Sequence, residues 1–585
     1  MTSLYPKYIK KRFLAAFLAF TMVSALALTG CSFSTADSQN KKFQSFTKKI
    51  FCQEVSSNSI SLHYTLKNPE EYGIKNVPDT FGNFTINPDM ALAGVENIQS
   101  AMKHYDYDKL SFQNRLTYDV LAYYLESAEK SVPYMMYEEP MDLVSGIQTQ
   151  LPVLLSEYQF YEKKDVENYL NLMKTTPDYF NSLIKFEQEK SKQGLFMPDY
   201  SADTVIEQCN AFINMGNSNY LYSTFGDRLD ALNLSMEEKS DYTEKNALML
   251  KSYVLPAYSQ LIAAVQKLKG TGKNAEGLCH FSKGKEYYSQ VAADATGSER
   301  TVPELEALTR QQIIADLESM ENVLGITNQQ AQETAAVADS NPITILDELE
   351  SKIGNNFPDL PETVTKIKYV PEAMQESLSP AFYMIPAIDD TEENVIYVNK
   401  LHMNNNLTLY TTLAHEGYPG HLYQTVYYAA TNPDPLRSIF NFGGYVEGWA
   451  TYAEMCSYYL APLTKEQATL LQKNNSIILG LYALVDMGIH YDGWSQTDTI
   501  EFFKNYGIKG SEAVNKIYEL IMGSPGNYLK YYIGYVEFME LKKEWVQEKG
   551  EDFSQKEFHE AVLSVGPAPF DIVDKYMWKM GSSEK

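Results

Sequence analysis

With 585 residues, of which 44% are hydrophobic, 13% aromatic and 21% charged, the chain has enough apolar content to bury a large core, which excludes a disordered or low-complexity protein. Its 75 acidic against 49 basic residues give a net charge of −26, which excludes a nucleic-acid partner held through phosphates and adhesion to anionic headgroups by charge alone. A neutral or cationic ligand is better received than an acidic one.

The N-terminus carries an address. Lys7, Lys10, Lys11 and Arg12 form a basic segment, Phe13 to Leu28 an apolar one, and Leu28-Thr29-Gly30-Cys31 reads as a lipobox. The apolar run, roughly 16 residues, is short for a membrane-spanning helix. Residues 1–30 are therefore expected to be a bacterial lipoprotein signal, cleaved before Cys31, whose lipidated thiol anchors the protein to a membrane outside the cytoplasm. Loss of four basic residues takes the net charge from −26 to −30. Residues 31–42 read as a flexible tether and 43–585 as a single helical domain of one or two lobes. Cys52, Cys209, Cys279 and Cys456 contain no Cys-x-x-Cys pair; a Cys209–Cys279 bridge stays open beside the default of buried free thiols.

Helical spacing dominates the remainder, so the fold class is mainly α. Leu116, Val120 and Tyr124, with Leu121 and Leu125, recur on one face, and residues 165–192 form a helical pattern interrupted at Pro177 and stopped by Gly194. Gly270 to Gly277 reads as a surface loop. Thr301-Val302-Pro303-Glu304 is a capping box opening a helix expected to run to Gly325. Val395-Ile396-Tyr397-Val398 is the clearest strand.

His415-Glu416-Gly417-Tyr418-Pro419-Gly420-His421 gathers two imidazoles and a carboxylate in a chain with eight histidines. The two histidines are six apart, and at 100° per residue an unbroken helix turns His421 about 120° away from His415. Pro419 cannot donate to the His415 carbonyl and the flanking glycines permit unusual dihedrals, so the helix is expected to bulge or break and return His421 to the face of His415. That pair, a carboxylate as third ligand and an open position would make a catalytic zinc site, with Glu416 where a general base sits in His-Glu-x-x-His helices; a helix end followed by a turn, with both histidines satisfied in the core, is the competing arrangement. Glu447, 26 residues after His421 in a helix entered through Gly443-Gly444, fits as third ligand; Glu454, two turns on, is the competing ligand or the partner of a histidine N–H. His490 lies four residues after Asp486, which suits a structural cap as well as a catalytic group. Arg437 and Lys530 suit a substrate carboxylate or, more simply, surface salt bridges.

These residues resemble the bacterial domain of unknown function 885 family, grouped with the gluzincin metallopeptidases. The resemblance rests on residues 415–421 with Gln424, Glu447-Gly448-Trp449-Ala450 with Tyr452-Ala453-Glu454, Asp486 with Gly488, His490 and Trp494-Ser495, Pro525-Gly526, Tyr531, Ile533-Gly534, and Phe558-His559 with Leu563, Gly566 and Pro569. The chain departs from the family at Asn527, where Gln is usual, and at Tyr532, where Lys is usual. The resemblance implies a large helical metallopeptidase-like fold with a small edge sheet and a deep catalytic cleft, similar to carboxypeptidase Taq and angiotensin-converting enzyme, with the metal site in 395–585. It implies one zinc ion per chain on His415, His421 and Glu447, Glu416 as general base for water attack on a peptide or peptide-like substrate, and Tyr531 or His490 as donors to the oxyanion. It also makes the Val395–Val398 strand the expected edge that pairs with the substrate backbone. A lipid-anchored solute-binding protein and an amidase of non-peptide substrates are the competing readings.

Overall fold

The computed structural model describes residues 35–580 except 336, 338, 373, 374, 376, 377 and 404. The expected signal, residues 1–30, and the expected lipidation site Cys31 lie outside the described residues. The helical spacing of the sequence is realised almost throughout, and one contiguous hydrophobic core runs from Phe43 to Met577.

The segment expected to be a tether as far as Lys42 is instead helical from Ala36, in a helix spanning Ala36–Val55. Thr35 caps it by accepting from Ser38 N, and Phe43, Phe46, Ile50 and Phe51 bury one face. Asn40 ties its first turns down, its Oδ1 accepting from Ser111 N at 2.7 Å and from the Asn114 amide at 2.6 Å. The polar composition of residues 36–42 belongs to a solvated helix face and not to a linker.

Phe112–Ser131 buries Leu116, Val120, Leu121 and Leu125 as its spacing requires. The 165–192 pattern is two helices, Lys163–Lys174 and Thr176–Gln193, with Pro177 in the first turn of the second and Gly194 closing it at φ +75°. Helix α1, Val302–Glu321, opens on the expected capping box and stops four residues short of Gly325, where Asn322 caps it.

Three strands make the only sheet among the described residues: β1 (Val364–Tyr369), β2 (Ala381–Met384) and β3 (Glu393–Val398), in the order β1-β3-β2. β3 pairs parallel with β1 and antiparallel with β2. The strand read from sequence as the edge is therefore the central one, with both sides spent on neighbours, and the edge beside the site is β2.

Five helices carry the site: α2 (Asn406–Glu416), α3 (His421–Ala430), α4 (Gly443–Ser457), α5 (Lys465–Met487) and α6 (Leu529–Lys549). α4 crosses α6 at glycines. A Cβ on Gly448 would lie 2.5 Å from Gly534 Cα, and one on Gly534 would lie 2.1 Å from the Gly444 carbonyl, so only glycine allows this backbone approach. Cys52, Cys209, Cys279 and Cys456 are all free thiols, so the Cys209–Cys279 bridge does not form. Burial pushes the Cys209 thiol up to about 12.

Candidate metal centre

α2 ends at Glu416, where the next four residues, two glycines and a proline among them, leave helical geometry. Gly417 leaves the helix at φ −110° and ψ −101°, the Tyr418–Pro419 peptide is cis, and α3 starts directly after Gly420. The expected interruption is thus a full break. Gly420 sits against the end of α2 so closely that a Cβ there would lie 1.8 Å from the His415 carbonyl oxygen. Tyr418 is buried, its hydroxyl 2.9 Å from Thr365 Oγ1 on β1, and the Pro419 carbonyl accepts the Trp449 indole N–H at 2.9 Å. The sheet on one side and α4 on the other hold the break in place.

The break returns His421 to His415, with ring centroids 4.9 Å apart and planes at 83°. α4 then brings Glu447 across, its Oε2 3.3 Å from His421 Nε2 and 3.8 Å from His415 Nε2. One ligand atom from each of the three residues lies within 4.8 Å of the others, and all three residues are buried. Neither Nε2 atom has a hydrogen-bond partner. Buried nitrogens without hydrogen-bond partners are costly in a folded interior, and two of them converging on a carboxylate are the donor set an ion site requires. The group could hold a metal ion.

Glu454 takes the other side of His415. Its Oε2 lies 3.1 Å from Nδ1, and its Oε1 accepts from the Asn475 amide at 3.2 Å. Of the two carboxylates left open by sequence, Glu447 faces the Nε2 atoms and Glu454 orients the ring from behind. Burial alone disfavours the His415 imidazolium, yet Glu447, Glu454 and Glu416 outweigh it and hold the pKa at about 10.

Glu416, the last residue of α2, is 3% exposed, and its Oε2 accepts the main-chain N–H of Tyr383 from β2 at 2.9 Å. Tyr531 on α6 places its ring centroid 6.4 Å from that of His415. Lys530 Nζ donates to Asn527 Oδ1 at 2.8 Å and lies 5.0 Å from the Tyr531 ring centroid. Tyr532, one of the departures from the family pattern, is a core residue packed over Gly480 of α5.

His490 does not join this group. It is 1% exposed, its Nδ1 accepts from Leu278 N at 3.2 Å, its Nε2 faces the Ile521 carbonyl at 3.0 Å, and its ring stacks on Tyr288. Both nitrogens are spent on main chain, and burial lowers its pKa to about 4. Asp486 pairs with Tyr288 Oη at 2.6 Å and with Gly526 N at 2.9 Å. Arg437 likewise makes no surface salt bridge: it is 4% exposed and donates to the Val565 and Pro567 carbonyls at 3.0 and 2.8 Å.

Sequence reasoning missed three contributors. The Tyr383 N–H left no trace, being a backbone group. Trp449 stood in a motif without a role. Asn475 lies in a polar run of α5 that carried no chemical signature.

The same fold occurs in a candidate lipoprotein from Colwellia psychrerythraea, at 18% identity and a TM-score of 0.79, over 94% of this chain and 99% of that one. A candidate lipoprotein of unknown function from Shewanella oneidensis matches at 18% identity and a TM-score of 0.60, over 93% and 100% of the two chains. None of the curated proteins matches. Residues 89–577, most of the chain and all of the candidate metal centre, match the family described as bacterial protein of unknown function, DUF885, and the protein belongs to that family.

Proposed function

We propose that the protein is a zinc-dependent hydrolase of peptide or related amide bonds, of the gluzincin kind, anchored through a lipidated Cys31 to the extracytoplasmic face of a bacterial membrane. The observation that carries this reading is the pair of buried Nε2 atoms of His415 and His421, which lack hydrogen-bond partners and converge on Glu447, with the Glu416 carboxylate next to His415 at the end of α2. The lipobox and the two structural relatives, both candidate lipoproteins, support the anchor.

His415, His421 and Glu447 would hold the ion. When bound, zinc supplies Lewis acidity, making water a nucleophile near neutral pH and polarising a carbonyl. Glu416 accepts the proton of the attacking water and passes it to the leaving amine. The Tyr383 N–H fixes one oxygen of that carboxylate, which keeps the base oriented between proton transfers. Tyr531 is the candidate donor to the developing oxyanion. The outer edge of β2, beside Glu416, is where an extended substrate backbone would pair, in place of β3. A closed structural ion site has no use for a carboxylate such as Glu416 beside it, which favours catalysis over a purely structural or receptor role.

The test is incubation of the purified protein with a peptide mixture, with and without chelator, and identification of the products by mass spectrometry. Glu416→Gln should lose about 10²- to 10⁴-fold in rate while retaining metal. His421→Ala should lose the metal itself. Metal-loaded wild-type protein that leaves every peptide and amide intact overturns the reading.

A further inference from the structure

Helix α5 contains the run Gln472-Lys473-Asn474-Asn475-Ser476 in its middle, between the apolar residues Leu470-Leu471 and Ile477. Two adjacent asparagines are poor choices for a helix interior, because their short amides compete with the backbone for hydrogen bonds. Each therefore needs a tertiary role. Asn474 has one, its Oδ1 accepting from the Asn328 amide at 2.9 Å. The flanking residues Lys473 and Ser476 both bind Asp316 of α1, Lys473 Nζ at 2.8 Å from Oδ1 and Ser476 Oγ at 2.6 Å from Oδ2. Asp316 is fully buried and also accepts from Gln312 at 2.9 Å. These contacts fix the rotation of α5 about its axis, and with it the direction of Asn475.

Asn475 points at the metal centre's outer carboxylate. Its amide donates to Glu454 Oε1 at 3.2 Å, while the other oxygen of the same carboxylate lies 3.1 Å from His415 Nδ1. A carboxylate gripped at one oxygen cannot swing about its terminal torsion, so the second oxygen stays on Nδ1, and the imidazole keeps Nε2 directed at His421 and Glu447. We propose that Asn475 is a positioning residue of the metal centre, acting through Glu454 to set the orientation of the His415 ring and thereby the affinity for the ion. This rests on the metal-site reading above but not on the hydrolytic one, since its consequence is read in binding.

The experiment measures Zn²⁺ affinity of the purified mature protein by competition with a chromophoric chelator, and the absorption spectrum of the Co²⁺-substituted protein. Glu454→Gln should weaken Zn²⁺ by about a hundredfold and Asn475→Ala by about tenfold, the two ends of the range for partners of ligating histidines. Asn475→Asp, which sets a second carboxylate against Glu454, should weaken it at least as much as Asn475→Ala. The double variant Asn475→Ala/Glu454→Gln should bind as Glu454→Gln alone, and the Co²⁺ bands of Asn475→Ala should shift relative to wild type. Asn475→Ala with wild-type affinity and spectrum overturns the proposal. So does a double variant that loses a further tenfold, because a general packing defect adds whereas an effect relayed through Glu454 does not. His421→Ala separates the two levels: if it binds Zn²⁺ as wild type does, the metal-site reading fails and this inference with it. If it loses the ion while Asn475→Ala keeps full affinity, the positioning role alone fails.

Discussion

Trp449 donates its indole N–H to the carbonyl of Pro419 at 2.9 Å, joining the helix that carries Glu447 to the break that returns His421 to His415. Trp449 is fully buried, with its ring edge-on to Phe357 and His559. One hydrogen bond thus couples the second and third candidate ligands.

Trp449→Phe keeps an aromatic ring and removes only the donor and part of the ring volume. The variant should lose about 1–3 kcal/mol of stability, the cost of leaving a buried acceptor unmade. It should also bind Zn²⁺ more weakly. Denaturant unfolding and metal titration check this, and unchanged values for both would mean that the bond does not hold the break.

Gly420→Ala places a methyl group on the backbone of α2, since the new Cβ would lie 1.8 Å from the His415 carbonyl oxygen and 2.5 Å from that of Ala414. Backbone cannot step aside as a flexible side chain can. The chain must shift, at about 1–3 kcal/mol for overpacking, and His421 moves with it. Metal affinity should fall far more than overall stability, as a comparison of apo-protein unfolding with Zn²⁺ titration will register.

Asp486 supplies a pH signature away from the metal. Burial raises its pKa to about 7, against the lowering effect of hydrogen bonds from Tyr288 and Gly526. Between the unfolded value near 3.8 and about 7 the folded state binds the extra proton, so this group's contribution weakens the fold as pH rises through that window and is constant above it. Asp486→Asn removes the titration. The difference in unfolding free energy between wild type and variant should therefore change by about 1.4 kcal/mol per pH unit within the window, with wild type losing ground as pH rises. A difference independent of pH would exclude the raised pKa.

Arg437→Ala should destabilise without altering substrate preference. The guanidinium donates to two carbonyls near the C-terminus, Val565 and Pro567, and each acceptor left buried without a donor costs about 1–3 kcal/mol. A selective change in cleavage of peptides with free C-termini, at unchanged stability, would restore the substrate-carboxylate role considered from sequence.

The sequence by itself determined the helical class, through 3.6-residue spacing and capping boxes such as Thr301 with Glu304, and it determined the candidate donors and the interruption between them. Gly417, Pro419 and Gly420 within four residues weaken a helix wherever they occur, because a missing N–H and missing Cβ atoms are local properties. What only the tertiary structure decided depends on how elements approach one another. Glu447 and Glu454 lie two turns apart on one face of α4, and which of them meets the Nε2 atoms follows from where Gly448 lets α4 cross Gly534 of α6. Likewise β3 became the central strand when two sequence-remote segments paired with it, and the nitrogens of His490 went to the main chain of Leu278 and Ile521, partners 212 and 31 residues away. Spacing along a chain states which groups share a face; the packing of that face against others states which of them meet.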